Sequence, residues 1–308
     1  MNGPLLRGPV LRITQAEWFR RLAGSGVGRL VASRFVPGED LDHAIAACRR
    51  LGRQRIGAVL DHLGENVEAP EHAAQAVADY LRAIARIHDE RDVDAYISVK
   101  LTQLGLDFSD ELCTANLETV LKTAQPGGTL VMIDMEGSAY VERTLAVFRR
   151  LREDHDRLGV CLQAYLHRTP TDVDTLPPGS IVRLVKGAYL EPPDIAIASR
   201  RDVDRAFGRL FATLVSRGHT VHVATHDPRL LAGVRRHVER AAVARSRVEY
   251  QMLYGIRRDL QTRLAAEGEP VRVYVPYGTE WYPYLTRRLA ERPANMWFFA
   301  SNLVRFGT

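Results

Sequence analysis

The chain has 308 residues, of which 46% are hydrophobic and 26% are charged, and its formal net charge at pH 7 is +5. These values fit an enzyme-sized protein that buries a large core, either as one large α/β domain or as two smaller ones. Because the basic residues are spread along the chain without an aromatic-interleaved patch, nucleic-acid binding is not expected.

The cysteines and the N-terminal segment indicate the cellular compartment in which the protein is expected. Cys48, Cys113 and Cys161 are isolated and form no Cys-x-x-Cys pair, which suits a reducing environment and argues against a zinc ribbon. The N-terminal segment has no cleavable signal pattern, and no uninterrupted apolar run is long enough to cross a bilayer. We therefore expect a cytoplasmic protein.

The first predicted element is a helix over residues 41–51, within a helical extension that covers residues 1–55. Beyond it, short runs rich in β-branched and aliphatic residues predict eight strands. These runs cover residues 56–62, 95–100, 130–135, 160–165, 181–186, 220–225, 248–253 and 271–275. Helical patterns follow at residues 73–88, 112–124, 139–152, 203–217, 229–240 and 256–265. Only the link after the fourth strand is short, with little more than one turn near Thr169.

This alternation of apolar strands and helices indicates a parallel sheet. Eight such units in about 250 residues predict an α/β fold of the (β/α)8 TIM-barrel type, with the additional N-terminal helices packed outside it. A doubly wound open sheet is the alternative, but no Gly-x-Gly-x-x-Gly segment follows any of the predicted strands. Since no linker divides the chain, we expect one domain over residues 1–308, with the barrel from about residue 56.

The predicted strands end in polar or ionisable residues, and the carboxyl ends of barrel strands carry the catalytic groups. These residues include Asp61, His62, Lys100, Asp134, Glu136, Gln163, Arg183, Thr225, His226, Asp227, Gln251 and Tyr274. Basic groups are prominent among them, and this favours a barrel enzyme that acts on a small carboxylate.

Lysine is rare, since only Lys100, Lys122 and Lys186 are lysines among 42 basic residues. Lys122 lies in an amphipathic helical pattern and is most simply a surface residue, whereas the other two end predicted strands. Arg183 and Lys186 are three positions apart, so both cannot point inward from a regular strand. One of them is expected in the following loop, where Gly187 permits a sharp turn.

Residues 282–293 predict a helix with an unusual polar face. Tyr284, Arg287, Arg288 and Glu291 recur at helical spacing, while Leu285 belongs to the apolar counter-face. Two adjacent guanidiniums beside a phenol can form forked hydrogen bonds to a small carboxylate. A solvated helix face explains the same spacing and stays open at this point.

Seven segments, in this order along the chain, resemble the proline dehydrogenase family in its monofunctional bacterial form. They lie at residues 97–100, 133–136, 163–165, 183–189, 224–227, 251–255 and 274–291. Arg-Leu-Val-Lys-Gly-Ala-Tyr at residues 183–189 and Tyr-Leu-Thr-Arg-Arg-Leu-Ala-Glu at residues 284–291 are specific, and the similarity covers about two thirds of the chain. The chain departs from the family pattern at Asp227, where many relatives have Asn, and at Leu190, where longer bifunctional relatives have Trp.

The resemblance implies a distorted (β/α)8 barrel that binds FAD and oxidises L-proline to Δ1-pyrroline-5-carboxylate by hydride transfer to flavin N5. It also implies that electrons pass to a quinone, with at most a peripheral contact at the inner face of the membrane. The implied catalytic residues are Asp134 and Arg183. The implied substrate-binding residues are Lys100, Tyr189, Leu253, Tyr274, Tyr284, Arg287 and Arg288. The implied FAD-binding residues are Met135, Gln163, Arg183, Lys186, Gly187, Ala188, Thr225, His226, Gln251 and Glu291, and the doubt about Asp227 concerns this cofactor site.

Other interpretations of the same residues remain. Lys100 or Lys186 could be the nucleophile of a class I aldolase-type Schiff-base enzyme if burial lowered its pKa. His222 and His226, with Asp61 and His62, could bind a metal ion, although no further histidine cluster completes such a site and no metal is expected. A barrel that only binds a small anion is the non-enzymatic alternative.

Overall fold

Eight parallel strands surround the centre of the molecule and pair in chain order, and β8 pairs with β1 to close the barrel. The computed structural model describes residues 32–291, apart from the side chains of residues 287 and 289–291. The strands are β1 (Gly57–His62), β2 (Ala95–Val99), β3 (Val131–Ile133), β4 (Leu158–Gln163), β5 (Ile181–Val185), β6 (Thr220–Ala224), β7 (Val248–Leu253) and β8 (Val271–Tyr277). The predicted (β/α)8 barrel is therefore confirmed.

Helices connect the strands on the outside of the barrel, and a further helix precedes β1. In the described part of the chain they are α1 (Leu41–Gly52), α2 (Pro70–Asp89), α3 (Asp110–Ala124), α4 (Val141–Arg152), α5 (Thr169–Asp174), α6 (Arg200–Ser216), α7 (Pro228–Arg240), α8 (Arg258–Ala266) and α9 (Trp281–Glu291). Short 3₁₀ turns lie at Gln125–Gly127, Ser138–Tyr140 and Arg245–Arg247. The short link expected after the fourth strand is α5.

The helices pack on the strands through apolar stripes at helical spacing. In α2, Tyr80, Ile84 and Ile87 are buried three or four positions apart, and they join the main core with outward-facing residues of the strands such as Leu60 and Ile97. Removing this surface from water supplies the main free energy that holds the helix layer on the barrel.

Local hydrogen bonds set where several helices begin. Asp40, Ser109 and Ser199 accept hydrogen bonds from backbone N–H groups in the first turns of α1, α3 and α6, respectively. Asp227 does the same for α7 by accepting from the N–H of Arg229. These caps satisfy N–H groups that have no partner inside the helix.

The structure differs from the predicted boundaries at two informative places. The third strand ends at Ile133, so Asp134 and Met135 lie beyond it. The carbonyl of Met135 accepts a hydrogen bond from the side chain of Gln163 and not from a backbone N–H of β4. The predicted helix at 256–265 begins later, because Arg257 has a left-handed backbone (φ 51°) immediately before α8.

The barrel interior has an apolar layer and a polar layer. Val59, Tyr96 and Met132 belong to a cluster separate from the main core, and Tyr274 packs against it. The residues two positions further along three of these strands are Asp61, Ser98 and Asp134, which share the same inward face because side chains alternate along a strand. This alternation brings polar groups to the carboxyl end of the barrel, called the mouth below.

Candidate active site at the barrel mouth

Four of the predicted site residues meet in one bonded cluster at the mouth. Lys100 and Asp134 directly follow β2 and β3, whereas Arg183 and Tyr274 lie within β5 and β8. They are joined through the carboxylate of Asp134, which contacts each of the other three side chains. Barrel closure thus brings together residues from four different strands.

Asp134 is the centre of this cluster. Its Oδ1 accepts hydrogen bonds from Arg183 Nη1 and from the hydroxyl of Ser98 (2.7 Å), and its Oδ2 accepts from the hydroxyl of Tyr274 (2.6 Å). Desolvation by burial opposes its charge, but the cations Arg183 and Lys100 outweigh that effect and lower the pKa of Asp134. Asp134 is therefore an anion held between two cations.

Lys100 has a second and shorter contact that the sequence did not predict. Its Nζ lies 2.5 Å from Oδ1 of Asp61 and 3.5 Å from Oδ2 of Asp134, and both Lys100 and Asp61 are buried. Burial alone would lower the pKa of Lys100, but Asp61 and its other neighbours hold it well above its usual value. The charged form of Lys100 is therefore favoured, although burial also raises the pKa of Asp61.

Hydrogen bonds to Gln251 and Ser98 in the barrel interior hold the side chain of Arg183 in place. Its Nε donates a 2.7 Å hydrogen bond to Oε1 of Gln251, and its Nη1 donates to the hydroxyl of Ser98 at 2.9 Å. The amide nitrogen of Gln251 bonds in turn to Tyr96 and to Glu249, so the orientation of the Gln251 amide is determined. This network leaves Nη2 of Arg183 buried without a hydrogen-bond partner among the described residues.

Three of the residues implied in FAD binding, Met135, Gln163 and Gly187, lie at or just beyond the ends of the consecutive strands β3, β4 and β5. Gln163 Nε2 donates 2.9 Å hydrogen bonds to the carbonyls of Met135 and Glu136, and Gln163 Oε1 is buried without a partner among the described residues. Gly187 has φ 123°, and a Cβ there would lie 2.1 Å from the ring of Tyr165. Only glycine therefore fits the sharp turn that follows β5, as expected.

The spacing required that Arg183 and Lys186 not both point into the barrel, and the structure places Arg183 within β5 and Lys186 in the turn that follows it. The Lys186 ammonium is half-buried between two carboxylates, at 2.5 Å from Asp204 and 3.2 Å from Asp227. Asp227 also caps α7, and its N–H donates to the hydroxyl of Thr225. Asp227 thus gives Lys186 a second anionic neighbour beside Asp204.

The histidines considered as metal ligands face different partners. His226 Nε2 accepts from the N–H of Leu253 (2.9 Å), whereas His222 Nδ1 lies 3.0 Å from the amide nitrogen of Gln251. Burial lowers the pKa of His222 to about 4, so its ring is neutral. Within residues 32–291 as described, no group of three or more His, Cys, Asp or Glu side chains could hold a metal ion.

Helix α9 lies beside the mouth, and both Tyr284 and Leu285 of this helix are buried. They form a second apolar cluster with Phe35, Leu63 and Ile256, and Leu253 packs against it. Tyr284 therefore lies on the buried side of α9 and not on the polar face where the sequence pattern placed it.

The guanidinium of Arg288 lies 5.0 Å from the centre of the Tyr284 ring, which is a cation–π contact. The side chains of Arg287 and Glu291 lie outside the described part of the chain. Tyr189 is half-buried, and its carbonyl accepts a 3.4 Å hydrogen bond from Tyr165. Ala188 lies between Gly187 and Tyr189 and is also half-buried.

Three buried residues of the site received no particular role from the sequence. Asp61 and Glu136 were noted among the polar strand ends, and Asp61 also as a possible metal ligand, whereas Ser98 was not singled out. Glu136 accepts from the N–H (3.1 Å) and the hydroxyl (2.5 Å) of Thr102, and burial raises its pKa to about 7. Their inward-facing strand positions were the available signal, but their partners depend on barrel closure.

A cavity of about 350 Å³ lies at the opposite, amino-terminal end of the barrel. Arg157, Arg272 and Tyr96 are among its lining residues, but Arg272 is already paired with Asp94 and Glu249. Arg157 donates a 2.9 Å hydrogen bond to the carbonyl of Gly128, so both arginines of this cavity have partners in the protein.

The residues of the mouth fit a flavin. Arg183 Nη2 is a buried donor and Gln163 Oε1 a buried acceptor, and both have no partner among the described residues. An isoalloxazine ring offers acceptor nitrogen and oxygen atoms and an N–H donor, so it can satisfy both groups. Leaving such buried polar groups unpaired would cost about 1–3 kcal/mol each. The turn at Gly187 adds a backbone without a Cβ beside them.

A closed (β/α)8 barrel whose mouth holds buried cations, carboxylates and tyrosines from several strands is typical of barrel enzymes. The chain belongs to the proline dehydrogenase family, since the model of the family described as proline dehydrogenase matches residues 44–301. It is accordingly an oxidoreductase of that family, and the resemblance seen in the sequence is confirmed.

Curated relatives and solved structures agree with this assignment. The chain is 37% identical over 304 residues to proline dehydrogenase 1 of Bacillus subtilis (strain 168), with 98% of this chain and 100% of the relative covered. It is 37% identical over 313 residues to proline dehydrogenase of Deinococcus radiodurans, with 99% and 100% covered. The fold resembles that of proline utilization A (PutA) from Bdellovibrio bacteriovorus inactivated by N-propargylglycine, with a TM-score of 0.80 and 22% identity over 92% of this chain and 38% of that chain.

No helix in the described part of the chain combines the length and apolar character needed to span a membrane.

Proposed function

We propose that this protein oxidises L-proline to Δ1-pyrroline-5-carboxylate with FAD as the hydride acceptor. One observation supports the proposal above all others. Asp134 contacts Lys100, Arg183 and Tyr274 in a single bonded cluster, and Nη2 of Arg183 has no hydrogen-bond partner among the described residues. Such a cluster offers positive charge for a carboxylate and a polar surface for a flavin in the same space. Membership of the proline dehydrogenase family supports proline as the substrate.

The substrate carboxylate would be bound by three cations. Arg287 and Arg288 on α9 can each fork two hydrogen bonds onto a carboxylate, and Lys100 would add an ammonium from the end of β2. Because Lys100 is buried and charged, its interaction with a bound anion is weakly screened by solvent. These contacts would fix one end of the substrate and orient the ring carbon that loses the hydride.

The pyrrolidine ring would lie against four residues, Tyr189, Leu253, Tyr274 and Tyr284. Leu253 and Tyr284 belong to or pack on the apolar cluster beside the mouth, and Tyr274 is fixed by its hydrogen bond to Asp134. An apolar wall excludes water around the reacting carbon, which strengthens the electrostatic contacts to the carboxylate. Asp134 is assigned the role of holding Lys100, Arg183 and Tyr274 in their places.

FAD, when bound, supplies the acceptor for the hydride that leaves the substrate ring. Arg183 would donate from its buried Nη2 to the flavin ring, and Gln163 would accept from it. The remaining cofactor contacts are proposed to come from the loops after β3, β5 and β6, from β7 and from α9. They are Met135, Lys186, Gly187, Ala188, Thr225, His226, Gln251 and Glu291.

The onward electron acceptor is proposed to be a quinone, reached through a peripheral contact with the inner face of the membrane. Exposed large hydrophobic side chains on the described surface lie in loops at the mouth end of the barrel, at Phe108, Leu190 and Ile195. Their position is consistent with a lipid-facing rim around the active site.

The Schiff-base alternative is disfavoured by the lysine environments. A nucleophilic lysine must have a lowered pKa so that its amine is uncharged. Asp61 holds the pKa of Lys100 well above its usual value, and Lys186 contacts two carboxylates. Borohydride trapping with a carbonyl substrate should therefore give no covalent adduct.

The deciding experiment is the absorbance spectrum of the purified protein before and after anaerobic addition of L-proline. We expect oxidised-flavin bands that bleach when proline is added. The proline amide, which lacks the carboxylate, should bleach them poorly. A colourless protein that takes up no FAD would overturn the proposed function.

A further inference from the structure

Asp61 is the most buried carboxylate of the mouth and has no part in the function described so far. It lies near the end of β1, pairs in register with Ser98 of β2 and is 1% exposed. Its Oδ1 accepts a 2.5 Å hydrogen bond from Lys100 Nζ, and the hydroxyl of Tyr274 also lies within hydrogen-bonding reach of Asp61. A buried carboxylate in contact with a proposed substrate-binding cation is a candidate for a role in substrate binding.

The contacts of Lys100 leave one donor for a ligand. An ammonium carries three N–H groups. One is directed to Asp61 Oδ1, and Asp134 Oδ2 is the next acceptor at 3.5 Å. Within the described residues, no further side chain accepts from the Lys100 ammonium. Because Asp61 makes the short contact, it determines where the remaining N–H group points.

We propose that Asp61 is a positioning residue for substrate binding, which fixes the Lys100 ammonium in place and keeps it charged. This inference rests on the proposed function, in which Lys100 contacts the substrate carboxylate. It assigns Asp61 no contact with the substrate or with FAD, and its effect on binding is proposed to pass through Lys100. An effect through the neighbouring Tyr274 would instead persist when Lys100 is replaced.

The charge of Lys100 depends on several groups that face it, and Asp61 is the closest. The others are Asp134 after β3, Tyr274 of β8 and Tyr80 of α2, while Arg183 and His62 lie in the same cluster of charges. If the Asp61 charge is removed, the desolvation of Lys100 is opposed chiefly by a carboxylate already shared with Arg183 and Tyr274. The pKa of Lys100 must then fall, and its positive charge must be lost at alkaline pH.

A double-mutant cycle tests this inference. The affinity of tetrahydrofuran-2-carboxylate, an analogue that keeps the carboxylate, is measured by calorimetry from pH 6 to pH 10. The proteins are the FAD-loaded wild type, Asp61→Asn, Lys100→Met and the double variant. In Asp61→Asn we expect about tenfold weaker binding at neutral pH and a further loss as pH rises. In the Lys100→Met background, Asp61→Asn should change the affinity less than about twofold.

Additive losses in the double variant, or a loss in Asp61→Asn that does not change with pH, would overturn the inference. Asp172→Asn is the matched control, because Asp172 of α5 is also buried but pairs with Arg168, which directly precedes that helix. It should leave the affinity and its pH dependence unchanged. Should Asp61→Asn fail to fold, Asp61→Glu keeps the charge but displaces the ammonium. Its loss of affinity must also vanish in the Lys100→Met background.

Measurements on the wild type distinguish a failure of the proposed proline oxidation from a failure of the positioning role of Asp61. A protein that neither oxidises proline nor binds the analogue overturns the proposed function and this inference with it. A protein that does both, but shows additive losses in the cycle, overturns only the role of Asp61.

Discussion

Tyr274 of β8 donates a 2.6 Å hydrogen bond to Asp134, which follows β3, although these strands are not neighbours in the barrel. The bond crosses the mouth and joins residues 140 positions apart in the chain. A hydrogen bond to a buried carboxylate is worth more than one between neutral groups, at about 1.5–3 kcal/mol. It therefore contributes both to the stability of the barrel and to the shape of the site.

Replacing Tyr274 by Phe should remove this bond while keeping the ring. We expect the free energy of unfolding to fall by about 1.5–3 kcal/mol, because a buried carboxylate loses a donor. Urea unfolding of Tyr274→Phe would measure the change. Tyr254→Phe is the control, since the hydroxyl of Tyr254 only accepts a 3.3 Å bond from Arg50 at the surface. Equal effects in both variants would contradict the importance of the bond.

Loss of Lys100 should weaken proline binding. Lys100→Met removes a buried cation that is proposed to contact the substrate carboxylate, and it also leaves Asp61 without its close partner. We expect at least about a tenfold increase in KM and a changed flavin spectrum in a folded protein. Lys122→Ala is the control, because Lys122 is exposed and pairs only with Glu118 one helical turn away. A Lys100 variant that fails to fold would instead indicate a mainly structural role.

The two arginines of α9 should not tolerate lysine. Removing the guanidinium of Arg287 or Arg288 should cost about 2–4 kcal/mol of substrate binding, and lysine should not restore it because an ammonium lacks the planar fork. Proline kinetics and the affinity of tetrahydrofuran-2-carboxylate would measure this, with flavin content checked in each variant. The amide of proline should be little affected by the substitutions. Unchanged affinity in flavin-loaded variants would favour the solvated helix face.

Glu136 should make stability depend on pH. Burial raises its pKa to about 7 from an ordinary value of 4.5, so folding favours its protonated form. Its contribution to stability is therefore full below about pH 4.5 and is lost as the pH rises through 7. Relative to the wild type, Glu136→Gln should become more stable by about 2–4 kcal/mol between pH 4.5 and pH 8.5.

Urea unfolding at these two pH values would measure the difference. Glu118→Gln is the control, because Glu118 is exposed and makes only a surface ion pair, and it should show a far smaller change. A difference between Glu136→Gln and wild type that stays constant with pH would show that Glu136 is ionised without penalty.

Gly187 should not accept alanine. A Cβ at Gly187 would lie 2.1 Å from the Tyr165 ring, in a backbone with φ 123° that strains any L side chain. Gly179→Ala is the control, because Gly179 also has a positive φ (69°) but open space around the new Cβ. We expect Gly187→Ala to lose at least about 2 kcal/mol more stability than the control, together with FAD affinity. Similar losses in both variants would show that strain alone, without the clash, explains the effect.

Much of the fold follows from the sequence alone. Eight apolar runs with helical patterns between them predicted a closed parallel barrel, because the side-chain period of each segment reports which surface it buries. The ends of these runs also indicated the mouth, since polar residues at strand ends cannot belong to the apolar layers. The turn at Gly187 followed from the same local periodicities, but the spacing of Arg183 and Lys186 left open which of the two points inward.

The partners of these residues were decided only by the tertiary structure. Local pattern shows that Asp61 and Lys100 face inward, but their 2.5 Å contact depends on how far adjacent strands are staggered when the barrel closes. The burial of Tyr284 depends likewise on the surface against which α9 packs. Charge states were decided at the same level, because the pKa of a buried group depends on its distance from other charges and on the exclusion of water. Lys100 is charged and Glu136 is poised near neutrality for that reason, and neither property could be predicted from sequence spacing.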